Sequence, residues 1–234
     1  MKALLLCAGK GTRMYPLTES IPKACVPLNG VPMIVYSLEQ LTRAGIREVG
    51  LVVSPFSHPF LEDLLGDGRE YGVSLTYLMQ EEPLGIAHAV GVAKDFLQHA
   101  PFFVALGDNL TNAPLLPMIQ SFSSQDALVA TRWVDDPSRY GILQTNGMAI
   151  TQIVEKPNED IGREAAAGFY LFSPAFFEVL PFLLPSSRGE YEISDVIQLL
   201  VDRGKHCEVF RLDGWWKDVG TPLDVEETEV LLTP

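Results

Sequence analysis

Three features of this sequence predict an α/β fold, with a mostly parallel twisted sheet flanked by helices and a β-rich second half. Unbroken apolar runs of strand length recur through the first half, and stretches with helical spacing separate them. Beyond Gly141 the texture changes to short segments joined by tight turns. Strands covered on both faces read as continuous apolar runs, and parallel neighbours need helical crossovers, so the alternation points to a parallel sheet.

The elements follow in order. Ala3–Leu6, Val49–Val53, Leu75–Leu78, Phe102–Leu106 and Ala127–Thr131 are β-rich and apolar. Met33–Ala44 carries apolar residues at 33, 34, 38 and 41 and is followed by the helix-stopping Gly45; Ile86–Leu97 and Leu115–Phe122 have similar spacing. Gly141–Thr145, Asn146-Gly147 and Ala149–Val154 read as a hairpin, because Asn-Gly supplies the positive φ of a tight turn. Ala167–Phe172 is a further strand, Phe176–Leu184 and Ile193–Val201 are helical, Val209–Leu212 is a late strand, and Val225–Leu232 suits a short last helix. With no linker or repeat, the expectation is one domain over 1–234. Its first half (about 1–135) forms the parallel sheet, and its second (136–234) closes over the sheet's carboxyl edge.

Composition narrows the function. At 234 residues, 47% apolar and 20% charged, the chain is globular, and a chain this size buries roughly 70–75% of its unfolded surface. Its net charge of −13 leaves no basic stripe for nucleic acid or an anionic membrane. Cys7, Cys25 and Cys207 lie far apart without a C-x-x-C pair, which suits free thiols in a reducing compartment. The apolar start runs straight into a glycine loop, so it reads as a strand rather than a signal peptide. The expected location is the cytoplasm.

In open parallel sheets ligands bind outside the carboxyl ends of the strands. After the first strand comes Ala8-Gly9-Lys10-Gly11-Thr12-Arg13-Met14. Glycines there let the backbone approach an anion, successive amides can form a nest, and Arg13 offers a planar fork to phosphate. No Gly-Lys-Ser/Thr follows, so it is not a Walker loop. Met14 stands where a dinucleotide loop needs its third glycine, and Pro16 and Pro22 delay the helix. Taken alone, Gly-x-Gly is as readily a plain connection; Lys23, fixed behind Pro22, adds a second cation. Asp108, in Gly107-Asp108-Asn109, ends the most apolar strand, where a carboxylate suits magnesium and equally suits an ordinary turn. Asp218, in Trp215–Thr221, is open to the same two readings.

Taken together, these segments resemble the sugar-1-phosphate nucleotidylyltransferases, most closely the glucose-1-phosphate thymidylyltransferases. The resemblance runs in order through Gly9–Pro16, Pro22-Lys23, Leu65–Gly68, Gln80–Gly85, Gly107–Asn109, Arg139-Tyr140-Gly141, Glu155-Lys156-Pro157, Arg188–Asp195 and Trp216–Thr221. It implies a Rossmann-like nucleotidyltransferase core joining dTTP or UTP to a sugar 1-phosphate, with Mg2+ as cofactor. It further implies that Gly9, Gly11, Thr12 and Arg13 wrap the triphosphate, and that Lys23 sits on the reacting phosphates. Gln80 and Gly85 would meet the base, and Asp108 and Asp218 would hold magnesium. Tyr140, Gly141, Glu155, Lys156 and Gly168 would line the sugar-phosphate pocket. A paralogue that binds nucleotide without turnover is the alternative; retention of both acids, Arg13, Lys23 and Lys156 argues against it.

The four histidines (58, 88, 99 and 206) show no metal-ligand spacing and read as structural or surface residues, His88 lying nearest the base loop. Arg188 and Glu190 read as a loop ion pair, and Ser194 and Asp195 as support for the next helix. Relatives commonly continue into further helices or a left-handed β-helix. This sequence, ending at Pro234, reads as the catalytic core alone, a monomer or homodimer inhibited by end product only at the active site.

Overall fold

The structure, a computed structural model, describes residues 1–233. Its elements are β1 (Lys2–Leu6), β2 (Pro27–Leu28), β3 (Val31–Pro32), α1 (Met33–Arg43), β4 (Glu48–Val53), α2 (Ser57–Leu65), β5 (Ser74–Met79), α3 (Ile86–Val92), α4 (Lys94–Leu97) and β6 (Phe102–Leu106). They continue with β7 (Asn109–Thr111), α5 (Leu116–Ser121), β8 (Ala127–Trp133), β9 (Gly141–Asn146), β10 (Ala149–Glu155) and β11 (Glu164–Phe172). The last are α6 (Ala175–Val179), α7 (Ile193–Asp202), β12 (Cys207–Arg211), β13 (Trp216–Asp218) and α8 (Pro222–Leu232).

One nine-stranded sheet runs through the chain in the order β5-β4-β1-β6-β11-β8-β12-β10-β9, with β9 also touching β11. The first four strands are parallel, as their continuous apolar runs require. Side chains alternate across the pleat. Ala3 and Leu5 face a core with Ile34, Leu38 and Leu41 of α1 and Leu61 of α2. Leu4 faces the opposite core, with Ala87 and Val90 of α3, Phe176 of α6, and Val196, Ile197 and Leu200 of α7.

The helix-flanked α/β sheet is therefore present, with its parallel order concentrated in the first half. The second half differs from expectation in placement. Its strands extend the same sheet and do not fold over the carboxyl edge. The reason lies in β11, buried along its whole length, which inserts antiparallel between β6 and β8. A strand so placed needs a backbone partner on each side, because buried amides and carbonyls without one are costly. Among the described residues two small ribbons stand outside the main sheet, β2 with β3 and β7 with β13, and the second joins the segment that leaves β6 to the chain's last strand.

Smaller differences have local causes. Asn146 still pairs with Ala149, so the hairpin loop is Gly147-Met148, one residue later than expected, with Gly147 taking the positive φ of 66°. The stretch 86–97 breaks into α3 and α4 around Ala93, just after Gly91 weakens the helix. Phe176–Leu184 becomes α6 and a 3-10 turn, since Pro181 supplies no amide. Helix α2 and the β2–β3 hairpin carried weaker periodicity and were not anticipated.

Sheet order reverses between β1 and β6, since β1 continues through β4 on one side while β6 lies on the other. A crevice forms outside the carboxyl ends at such a switch. The 8–13 loop leaves β1 there, and Gly107-Asp108 leaves β6 beside it, with the Gly107 amide donating to the Leu6 carbonyl at 3.0 Å.

Candidate active site

Two adjoining hollows open at this switch point. The first, about 520 Å3, is lined by Gly9, Lys10, Gly11, Thr12, Arg13, Lys23, Gln80, Gly85 and Asp108. The second, about 180 Å3, is lined by Arg13, Asp108, Tyr140, Gly141, Glu155, Lys156, Gly168 and Asp218. All fourteen residues singled out in the sequence thus lie on the walls of these two hollows, and Arg13 and Asp108 belong to both.

In the first hollow the backbone supplies the donors. Among the described residues, none of the amides of Ala8 through Arg13 donates to an acceptor within the protein. A run of free amides beside Lys10, Arg13 and Lys23 suits an anion. Farther along, Gln80 is buried, its Nε2 donating to the Gly85 carbonyl at 3.2 Å and lying 3.0 Å from His88 Nδ1. Gly85 has φ 101°, and a Cβ there would sit 2.6 Å from the Tyr191 carbonyl oxygen, so its bare backbone makes room for the 190–191 loop.

The shared wall is electrostatically tense. Lys23 Nζ donates to Asp108 Oδ2 at 2.5 Å, and Asn109 Nδ2 donates to Asp108 Oδ1 at 2.7 Å. Burial pushes the Asp108 carboxyl up, but the Lys23 charge and these hydrogen bonds prevail and hold it below its ordinary value. Asp218 reaches the same place through β13, whose register pairs Asp218 with Asn109, while the Val219 amide donates to the Asp108 carbonyl at 2.9 Å. Burial and then the neighbouring Asp108 charge push Asp218 up to about 6, against the pull of Lys23, Arg13 and Arg139. Two part-buried acids that repel one another suit a cation between them. Among the described residues no group of three or more His, Cys, Asp or Glu has metal-binding geometry, so any ion there must complete its shell from elsewhere. Magnesium suits that donor set, since it takes one or two carboxylates and fills the rest with phosphate and water.

In the second hollow Glu155 is held from two sides. Ser194 Oγ donates to its Oε2 at 3.1 Å, and Arg188 Nη2 approaches its Oε1 at 3.4 Å. Burial, with help from Glu192, still raises its pKa. Lys156 closes the base of the hairpin, its amide donating to the Tyr140 carbonyl at 2.9 Å, and holds φ at 43°. Non-glycine residues in that region concentrate at functional sites. Gly168, φ 76°, lies against the side chain of Asn109.

Several working residues escaped the sequence reading. Asn109 ties Asp108 to β13, its Oδ1 accepting from Trp216 Nε1 at 2.9 Å. Arg139 lies 3.2 Å from the buried Asp224 and 3.9 Å from Asp218. Asp224 also accepts from Thr221 Oγ1 at 2.7 Å and returns its own amide to Thr221 at 3.2 Å, pinning α8 to the end of β13. The spacing Thr221-Pro222-Leu223-Asp224 is a capping signal legible in the sequence. Arg188 does pair with Glu190 at 3.6 Å, but its shorter contact is buried Glu192 at 2.7 Å, and it also reaches Glu155. Ser194 bonds Glu155 in the second hollow and provides no helix cap. His88, taken as structural, touches Gln80.

Comparison with known proteins decides what these walls belong to. The model of the nucleotidyl transferase family matches residues 2–233. The chain belongs to the nucleotidyl transferase family. Among curated relatives, this nucleotidyl transferase is 41% identical to the low-salt glycan biosynthesis nucleotidyltransferase Agl11 of Haloferax volcanii, over 99% of this chain and 66% of that protein. It is 38% identical to the UTP–glucose-1-phosphate uridylyltransferase AglF of the same organism, over 98% of this chain and 95% of the relative. It is 35% identical to a glucose-1-phosphate thymidylyltransferase of Streptomyces griseus, over 99% of this chain and 66% of that one. Among solved structures, a UDP-glucose pyrophosphorylase complexed with UDP-glucose superposes with a TM-score of 0.90 at 26% identity, covering 98% of this chain and 97% of that one. These names place the chain with the sugar-1-phosphate nucleotidyltransferases. No helix among the described residues is long and apolar enough to cross a membrane.

Proposed function

We propose that the chain condenses UTP or dTTP with a sugar 1-phosphate, glucose 1-phosphate in the first instance, to give a nucleoside diphosphate sugar and pyrophosphate. The observation that carries this reading is the pair of hollows sharing Arg13 and Asp108 as a common wall. A two-substrate transfer needs its reacting groups to meet at such a boundary. The relatives' names supply both the uridylyl and thymidylyl forms and the glucose phosphate.

The free amides of Gly9–Arg13, with Lys10 and Arg13, would take the triphosphate, and Gln80 would meet the base. Glu155 would accept from sugar hydroxyls, and Lys156 would pair with the sugar's phosphate. A sugar phosphate is already an anion, so it attacks the α-phosphorus without a strong base, and pyrophosphate leaves. The difficulty is holding two anions in line and stabilising the charge that develops, which positioning and electrostatics supply. Arg13 and Lys23, on the wall of the first hollow, would stabilise that charge. Asp108 and Asp218 would hold magnesium, which when bound adds positive charge at the α-phosphate. Pyrophosphate release, measured with glucose 1-phosphate and UTP, dTTP, CTP, ATP and GTP, tests the proposal. Release from none of them, or release that does not depend on the sugar phosphate, refutes it.

A further inference from the structure

We propose that His88 is a positioning residue that sets nucleobase choice, by holding Gln80 so that only its carbonyl oxygen is presented to the base. The inference rests on the reading that the first hollow takes a nucleoside triphosphate.

A glutamine side chain has two N–H donors and one carbonyl acceptor, and free rotation lets either end meet a ligand. Here the orientation is settled by the neighbours. The atom 3.2 Å from the Gly85 carbonyl has to be the amide nitrogen, because an oxygen there would set two acceptors against each other. That same nitrogen lies 3.0 Å from His88 Nδ1. It can donate only to an unprotonated ring nitrogen, so the geometry assigns His88 the neutral tautomer with its proton on Nε2. Both amide protons of Gln80 are then committed inside the protein, and Oε1 is what remains.

His88 is itself held. It projects from α3 and its ring lies nearly parallel to Tyr191, at 28° with centroids 6.5 Å apart. The Tyr191 backbone is in turn locked to the loop, its amide donating to the Leu84 carbonyl at 2.8 Å and its carbonyl accepting from Ala87 at 3.0 Å. Gln80 and Gly85 therefore form one corner of the hollow, backed from outside its wall by His88 and Tyr191.

That corner reads bases by hydrogen-bond polarity. Uracil and thymine present an N–H flanked by two carbonyls, whereas cytosine presents a bare ring nitrogen in the N–H position. The corner offers a single side-chain acceptor, Gln80 Oε1. Two backbone amides on the wall of the same hollow, Gly85 and Ala8, donate to nothing in the described protein. One acceptor among donors complements the imide edge. A glutamine free to turn would accept either edge.

Steady-state kinetics with UTP, dTTP and CTP, for wild type, His88→Leu, His88→Gln and Gln80→Ala, test this. Wild type is expected to prefer UTP and dTTP to CTP. His88→Leu strands one Gln80 proton and releases the amide, so the preference is expected to narrow by roughly 10- to 100-fold. The change should fall on the triphosphate KM more than on kcat, with the sugar-phosphate KM unmoved. His88→Gln, whose carbonyl replaces the lost acceptor, is expected to rescue the preference. In wild type, long-range proton–nitrogen NMR of the His88 ring is expected to show the Nε2–H tautomer, a readout independent of how any variant folds. An Nδ1–H tautomer, or a His88→Leu preference equal to wild type, overturns the proposal. A preference unchanged in Gln80→Ala also overturns it, while leaving the transferase reading intact. Should no triphosphate turn over, the transferase reading fails by itself, and calorimetric binding of UTP against CTP in the same variants still decides the role of His88.

Discussion

Gly168→Ala tests whether the ribbon that carries the two acids is held by packing at one point. Gly168 sits in β11 at φ 76°, where an alanine costs on the order of 1–2 kcal/mol in backbone strain. Its added Cβ would lie 2.5 Å from Asn109 Cγ, 2.7 Å from Oδ1 and 2.9 Å from Nδ2, so the buried Asn109 side chain has to move. Moving it breaks the donation to Asp108 and the acceptance from Trp216, two part-buried bonds whose loss costs on the order of 1–3 kcal/mol together. The sum, about 2–5 kcal/mol, corresponds to a Tm lowered by roughly 5–15 °C for a chain of this size. Turnover should fall further than stability suggests, because Asp108 loses the neighbour that orients it. Thermal denaturation and pyrophosphate release measure the two effects. The decisive control is a double-mutant cycle with Asn109→Ala, which removes the collision in advance. In that background Gly168→Ala should cost only the backbone strain. Additive effects in the cycle would refute the reasoning, since the glycine would then be needed for its own conformation and not for Asn109.

Other outcomes follow from the same geometry. Asp108→Asn and Asp218→Asn are each expected to cut turnover by about 10²–10³-fold in saturating magnesium with the fold retained, read by pyrophosphate release and circular dichroism. In metal-free buffer, Asp218→Asn should raise Tm at pH 8, raise it about half as much at pH 5, and have little effect near pH 3. The folded Asp218, pushed up to about 6, holds a proton that the unfolded chain gives up, so wild-type stability falls as pH rises through that window. An equal Tm change at all three pH values would contradict the assignment. Magnesium must displace that proton, so the magnesium needed for half-maximal rate should climb as pH drops below about 6. Gly85→Ala, whose Cβ meets Tyr191 backbone at 2.6 and 2.7 Å, should lower triphosphate affinity and Tm together, measured by calorimetry and denaturation.

What could be read in the sequence, and what could not, divides by range of interaction. The parallel strands were legible because burial on both faces writes itself as uninterrupted apolar residues. That the loop after β1 lines the hollow was legible because glycines and cations fall in a few consecutive positions, Gly9–Arg13. The ribbon of β7 and β13 was not. Asn109 and Asp218 are 109 residues apart, the two strands are three residues each, and nothing in either segment states its partner. The placement of the β-rich half failed for a related reason. Strand β11 alternates no more than a parallel core strand does, so its sequence reveals that it is buried and not which strands bury it. His88 was set aside because histidine spacing was searched for metal ligands, whereas its partner is an amide eight residues earlier, in the loop after β5.

The charge balance of the site connects these pieces. The chain as a whole carries −13, yet the first hollow sets Lys10, Arg13 and Lys23 against only Asp108 and Glu190. The second sets Arg13, Arg139 and Lys156 against Asp108, Glu155 and Asp218. Side chains alone therefore leave the first hollow barely positive and the second neutral. Neither excess matches a triphosphate and a sugar phosphate brought into contact, whose combined charge is several units negative. The free amides of Ala8–Arg13 supply partial charge on one side only. The remaining deficit falls where the two hollows meet, at the pair of acids that repel one another and lie beside Lys23. A divalent cation there relieves the repulsion between Asp108 and Asp218 and offsets the substrates' charge at once, so metal and both substrates are expected to bind more tightly together than singly. Calorimetric titration of UTP with and without magnesium, repeated in Asp218→Asn, measures that coupling. Magnesium that tightens UTP equally in wild type and variant would mean that the ion travels with the triphosphate and owes nothing to Asp218.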